Sequence, residues 1–211
     1  MKYIDITFPI TKNLPKWPGS VGFEIEWHMI MPSDINNLSS FSIDSHFGTH
    51  LDAPLHFVDK GKSIDEIDFN NLIGRSFVTE IKNIKSISNL DLEAAAIPKE
   101  CKKLLIKTDN QAYWGNNVTE FQEDFSSIDS SGAQWIVERG IHLVGIDYLS
   151  IQRFHDGPET HQILLQNEVV ILETLKLNKV SVGWYDLICL PLKLKGTEGS
   201  PVRAILKKIE E

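Results

Sequence analysis

Apolar and polar residues alternate most regularly from Phe23 to Met29, where Phe23, Ile25, Trp27 and Met29 are separated by Glu24, Glu26 and His28. A period of two places the apolar set on one face, so this segment is expected to be a half-buried, antiparallel strand. Further segments of strand character are Tyr3 to Phe8, Phe41 to Ser45, Ser76 to Lys82, Lys103 to Thr108, Ile141 to Ile146, Val169 to Leu172, Tyr185 to Leu194 and Val202 to Ile209. Helices are fewer. The clearest runs from about Ser131 to Arg139, with Ser130 or Ser131 able to cap its start and Gly140 its end; Glu159 to Gln166 and the shorter Leu90 to Ala96 follow. The pattern predicts a strand-rich, mixed α/β domain. Its connections Pro9 to Val21 and Trp114 to Asp129 are longer than compact folds commonly use, which points to a binding surface.

No repeat, low-complexity tract or Gly/Ser linker interrupts the chain, and 211 residues lie within the range of one globular core, so residues 1–211 are expected to form a single domain. No apolar run is long enough to span a bilayer, and the first residues, MKYIDITFPI, lack the features of a secretion signal; a cytoplasmic protein is expected. The net charge of −8 and the absence of a dense basic run argue against nucleic acid or an anionic membrane as partner. The two cysteines, Cys101 and Cys189, are far apart and in no C-x-x-C pattern, which favours buried, reduced thiols over a disulfide or thiolate zinc site.

Chemistry concentrates in Ser45-His46-Phe47-Gly48-Thr49-His50-Leu51-Asp52-Ala53-Pro54-Leu55-His56, where three histidines and an aspartate fall at even-numbered positions. On an extended strand all four would face one side. At about 3.3 Å per residue, however, the Cα atoms of His46 and His50 would then stand roughly 13 Å apart. Two imidazoles on one zinc ion each bind at about 2.1 Å, so a shared ion requires a bend. Gly48 can supply it, because it tolerates positive φ, and Pro54 blocks a regular continuation. Imidazole and carboxylate donors without thiolates suit Zn²⁺, Mn²⁺ or Fe²⁺ in an open, water-bearing site.

The same stretch resembles the H-x-G-T-H-x-D-x-P-x-H signature of the cyclase family of metal-dependent hydrolases, which includes bacterial kynurenine formamidase (arylformamidase) and isatin hydrolase. Every fixed position is present. Pro15-Lys16-Trp17-Pro18-Gly19 is similar to the family's N-terminal turn, and Gly199-Ser200-Pro201-Val202-Arg203-Ala204 to the start of its C-terminal strand. The resemblance implies that His46, His50 and Asp52 are metal ligands, that His161 and Glu173 complete the set, and that His56 is the proton donor and acceptor. It also implies that Trp17 contacts an aromatic substrate, and that the cofactor is one or two Zn²⁺ ions or Mn²⁺. Glu168, at a turn, is read as solvated; Tyr113, Trp114 and Phe154 are candidates for the pocket wall. Asp147 could orient an imidazole but is read as a turn former and left out of the site.

The fold implied is the swivelling β/β/α type, assembled as a homodimer or higher oligomer, with Val202 to Ile209 as an apolar edge strand compatible with pairing between subunits. The function implied is hydrolysis of a C–N amide bond, with N-formyl-L-kynurenine as leading substrate and a place in tryptophan catabolism. Hydrolysis of another cyclic amide or lactone, as by isatin hydrolase, is the first alternative; a non-catalytic metal or small-molecule binding protein is the second, against which the retained His56 weighs.

Overall fold

The computed structural model describes residues 3–114 and 119–209, so residues 115–118 of the long connection after Trp114 lie outside it. The strands are β1 (Tyr3–Asp5), β2 (Phe23–Met29), β3 (Leu38–Ile43), β4 (His50–Asp52), β5 (Ile73–Glu80), β6 (Ser86–Ile87), β7 (Lys103–Lys107), β8 (Ser127–Ile128), β9 (Leu143–Ile146), β10 (Val170–Glu173), β11 (Gly183–Pro191) and β12 (Gly199–Lys208). The α-helices are α1 (Phe69–Leu72), α2 (Asn89–Ala94), α3 (Ser130–Glu138) and α4 (Glu159–Gln166).

The nearly unbroken apolar runs in β7, β9 and β10 are buried on both faces, as parallel strands require. Strands β5, β7, β9 and β10 pair in parallel, and alternate residues along them serve two separate cores. Leu105, Leu143, Val170 and Leu172 face one core with Leu51, Leu187 and Ala204. Leu104, Ile106, Val144 and Ile171 face the other, which α2, α3 and α4 cover through Leu92, Ile136 and Leu164. Antiparallel β11, β12 and β4 complete the sheet in the order β1-β12-β11-β5-β7-β9-β10-β4. A further β12–β4 pairing closes it into a barrel, so the fold is a strand-rich mixed α/β one.

Strand β12 corrects the sequence-based expectation of an edge. Along one side it pairs with β11; along the other it pairs first with β4, through Gly199, Ser200 and Pro201, and then with β1, through Ile205, Leu206 and Lys207. Its backbone is therefore satisfied within the chain and offers no edge to a second subunit. Strand β1 is shorter than the expected Tyr3 to Phe8. Beyond it Ile6 still donates to Ala204, while Thr7 bridges to Leu175, so the segment passes from one partner to another. Helix α3 is capped by Asp129 rather than by Ser130 or Ser131: its carboxylate accepts from the Ser131 and Gly132 N–H groups.

Strands β2 and β3 form a separate two-stranded ribbon. The pairs Phe23–Ile43 and Ile25–Phe41, with Trp27, Met29 and Leu38, make one face mainly apolar, broken by Ser39 opposite Trp27, while Glu24, Glu26, Ser40 and Ser42 occupy the other. The apolar face is partly covered: Phe23, Ile25, Met29 and Ile43 are half-buried, whereas Trp27 and Phe41 are 53% and 63% exposed. The third strand expected, Phe41 to Ser45, is displaced towards the N-terminus. Its last residues leave the ribbon because the Asp44 carboxylate accepts from the Ser20 hydroxyl and the Gly22 N–H, turning the chain towards His46. Cys101 and Cys189 are free and buried, and burial pushes their thiols up to about 11 and about 12. No helix among the described residues is long and apolar enough to cross a membrane.

Candidate metal centre

Three local conformations deliver the donors of the His46–His56 segment. His46 sits in the turn before Gly48, whose φ of +71° supplies the bend that a shared site requires. His50 and Asp52 lie on β4, two residues apart and thus on one face. His56 ends a single 3-10 turn begun by Pro54. Thr49 pins the bend: its hydroxyl donates to the Thr174 carbonyl at 2.6 Å and accepts from the Phe8 N–H at 3.0 Å.

The barrel brings the distant donors to the same place. In the β4–β10 register His50 stands opposite Glu173, and in the β4–β12 register Asp52 stands opposite Gly199. His161, on the first turn of α4, reaches in with Nε2 3.7 Å from Asp52 Oδ2 and 3.5 Å from Glu173 Oε1. His50 Nε2 lies 3.4 Å from Asp52 Oδ1 and 3.3 Å from Glu173 Oε2. His46 donates from Nδ1 to Asp52 Oδ1 at 2.8 Å, and its ring stacks on that of His56 with centroids 4.0 Å apart. Two donor sets share Asp52: His46, Asp52 and His56, and His50, Asp52 and Glu173, with the donor atoms of each set within 4.8 Å of one another.

Hydrogen bonds fix which imidazole nitrogen is free. His50 Nδ1 lies 2.8 Å from the Gly48 carbonyl, and His161 Nδ1 lies 3.3 Å from the Gln152 side-chain oxygen. Both oxygens can only accept, so Nδ1 carries the hydrogen and Nε2 turns a lone pair to the carboxylates, the arrangement that metal-ligating histidines use. His46 Nε2, His50 Nε2 and Asp52 Oδ2 are buried with no hydrogen-bond partner. Such orphaned atoms are costly, and cations held in the two donor sets that share Asp52 would relieve them. The donor set therefore fits a divalent metal.

Electrostatics agree. Without a cation, burial lowers the His50 pKa, but hydrogen bonding and charge from Asp52 and Glu173 more than offset this and raise it to about 10. Against burial, His46 and His50 hold Asp52 well below the usual carboxylate range. Burial and Asp52 both push Glu173 up, yet His161 and His50 keep it below its ordinary value. The His56 imidazole is held below its ordinary pKa by burial, against the pull of Asp52 and with His46 and His161 reinforcing burial.

Above these groups opens a cavity of about 500 Å³. Trp17 and Phe154 line it, their rings 5.2 Å apart edge to face, and Phe121 from the long connection after Trp114 backs Trp17 at 5.0 Å. Tyr113 and Trp114, expected at this wall, do not line it. Trp114 stacks on Phe8 and donates to the Asp147 carbonyl, while Tyr113 donates to the Asp124 carbonyl. Asp147 is buried away from the imidazoles, accepting from Thr108, Asn110 and Gln111. Glu168 pairs with Lys62 on the surface.

Sequence reading missed three contributors. Gln152 orients His161 through both its backbone N–H and its ring. Glu198 accepts from the Ser45 hydroxyl at 2.5 Å and lies 3.3 Å from His46 Nε2. Gly199 admits His46: a Cβ there would stand 2.8 Å from His46 Cε1 and 2.9 Å from the Leu51 carbonyl oxygen. Gly199 opens the Gly199-Ser200-Pro201-Val202-Arg203-Ala204 run and Glu198 directly precedes it, so the available signal was that recognisable segment.

Residues 4–153 match the family described as "Putative cyclase". Cyclase-like protein 1 of Arabidopsis thaliana is 35% identical over 217 residues, covering 98% of this chain and 85% of that protein. Kynurenine formamidase of Bacillus cereus (strain ATCC 10987 / NRS 248) is 32% identical over 211 residues, covering 99% of this chain and 98% of that protein. A solved structure described as a potential metal-dependent hydrolase with cyclase activity has a TM-score of 0.85 at 30% identity, covering 100% of this chain and 99% of the other. With a family match over most of its length and relatives spanning nearly all of it, the chain belongs to the cyclase family and is a hydrolase.

Proposed function

We propose that the chain is a metal-dependent amidohydrolase that cleaves a C–N amide bond, with N-formyl-L-kynurenine as its leading substrate. The observation that carries this reading is the convergence of orphaned His46, His50 and Asp52 atoms beneath an aromatic-walled cavity. His46, His50, Asp52, His161 and Glu173 would hold one or two Zn²⁺ ions or Mn²⁺; His56, although it is grouped with His46 and Asp52 by distance, is assigned to proton transfer. When bound, such an ion acidifies water to a pKa of about 7 and polarises a carbonyl.

The chain's own residues supply the rest. Trp17 offers a flat ring to an aryl group and, with Phe154, excludes water from one side of the amide. His56 lines the cavity, and its lowered pKa keeps the ring neutral at pH 7, ready to take a proton on a ring nitrogen and return it to the leaving nitrogen. His56→Ala should abolish turnover while leaving bound metal intact by elemental analysis; loss of the metal would overturn this division of roles. Turnover of N-formylkynurenine, isatin and simple lactones with added Zn²⁺ or Mn²⁺ tests the substrate. The plant cyclase-like protein is as similar to the chain as the formamidase is, which favours retaining a second reading in which the same groups open another amide or a lactone.

The protein acts in the cytoplasm, where its two buried thiols stay reduced, as a homodimer or higher oligomer. The exposed Trp27, Leu38 and Phe41 of the β2–β3 ribbon support self-association through that face.

A further inference from the structure

Lys103 is the one buried lysine among the described residues, only 8% exposed. It opens β7, at the opposite end of the parallel strands from Glu173, which closes β10. Its side chain follows the alternation that sends Leu105 into the barrel core, and it stands beside Leu143 in the β7–β9 register, so it points into the barrel far from the metal donors. There it has no partner. Among the described residues, its Nζ makes no hydrogen bond and no carboxylate lies within 4.0 Å of it, whereas the neighbouring Lys107 pairs with Glu80 and donates to the Val180 carbonyl. The titratable groups facing it are Cys101 and Cys189, and both thiols donate to backbone carbonyls, those of Lys103 and Leu72.

One side of the amine is open. Gly74 is half-buried on β5, and a Cβ added there would meet only Lys103 Nζ within 4 Å, at 3.6 Å. An amine desolvated among apolar groups favours its neutral form, and burial holds this one below the ordinary lysine pKa against the opposing pull of Cys189 and Cys101. The neutral form is the nucleophile. So slight an exposure keeps the side chain out of the active site of a modifying enzyme, which leaves a small donor that reacts unaided. We propose that Lys103 is a covalent modification site that takes the acyl group of a small acyl phosphate through the opening at Gly74. The Nζ lone pair attacks the acyl carbon and an N–C bond forms. The C–O bond to phosphate breaks, and phosphate leaves with that electron pair and takes up the proton shed by nitrogen. The product is a neutral amide, which an apolar barrel tolerates better than an ammonium. No residue of this site belongs to the metal centre.

The test incubates the full-length, metal-loaded protein with acetyl phosphate at about pH 7 and follows occupancy at each lysine by peptide mass spectrometry. Lys103 should be acetylated at least about 10-fold faster than the exposed Lys99, Lys102 and Lys193, the ratio that a tenfold larger neutral fraction gives. Benzoyl phosphate, whose ring is too large for an opening of this size, should show no such preference while labelling the exposed lysines as before. Gly74→Ala should slow labelling of Lys103 alone by about 10-fold or more. Because the φ of +116° at Gly74 strains an alanine there, thermal unfolding is recorded alongside, and the comparison of the two donors needs no variant. A Lys103 rate no higher than that of the exposed lysines, an undiminished preference with benzoyl phosphate, or labelling that appears only in urea would overturn the site.

Discussion

Strand β4 and the β2–β3 ribbon make opposite use of the same backbone. β4 has three residues, yet it is hydrogen-bonded on both sides, by β10 and by β12, and its His50 and Asp52 side chains are almost wholly buried. β2 has seven residues and the most regular alternation in the chain, but only β3 to pair with, and its apolar face is only half-covered, with Trp27 exposed. Strand length and pattern therefore do not decide how firmly a segment is held here; the number of flanking partners does. Polar donors can be fixed at short range without water only where the backbone on both sides cannot yield.

Substitutions can break this comparison at its rigid end first. Gly199→Ala forces a methyl group against His46 and the Leu51 carbonyl, across the doubly paired β4–β12 seam. We expect turnover to fall by about 10-fold or more, in keeping with the sensitivity of catalysis to small misplacements, with metal content reduced in parallel. Wild-type activity and metal content in this variant would mean that the β4–β12 seam is as yielding as the ribbon.

A smaller effect is expected where the barrel holds a loop rather than the metal donors. The Asp147 carboxylate accepts from the Thr108 N–H and hydroxyl and from Gln111, and burial, opposed by those same bonds, raises its pKa above the ordinary carboxylate range. Asp147→Asn turns an NH₂ group towards groups that are themselves donors, at a cost of about 1–3 kcal/mol in urea unfolding at pH 7. An unchanged midpoint would show that this corner repacks freely.

At the loose end, the proposed self-association through the ribbon predicts that Trp27→Ser combined with Phe41→Ser lowers the mass by light scattering to that of one chain while turnover stays within about twofold, as is usual for surface changes remote from a site. An unchanged mass would overturn self-association through the ribbon.

How much of this was legible depended on sequence distance. The ribbon strand β2 was read correctly from its alternation, and β7, β9 and β10 from their apolar runs, because those patterns are local. β4 escaped notice as a strand: His50-Leu51-Asp52 carries too few residues for a period to register, and its identity comes from partners at residues 171–173 and 199–201. For the same reason β12 was taken for an edge, since nothing within Val202 to Ile209 announces that β4 and β1 share its far side. The donors themselves stood out by chemistry and family resemblance. Gln152, Glu198 and Gly199 did not, because each matters only through a neighbour that the fold supplies. Trp114 and Tyr113 misled for the converse reason: position in a long loop does not say which way a ring turns.

The double backing of β4 also dictates an order of events in the living cell. Ser45 and Glu198, which touch in the finished site, are separated by 153 positions in the chain. A ribosome therefore releases the His46–His56 histidines long before it has made the strand that holds them. Until then they are loose ligands on a nascent chain, able to pick up whatever ion is at hand but unable to discriminate among ions. The full donor cluster exists only once β12 lies beside β4, so it is the closed barrel, not the motif alone, that would set which ion is held.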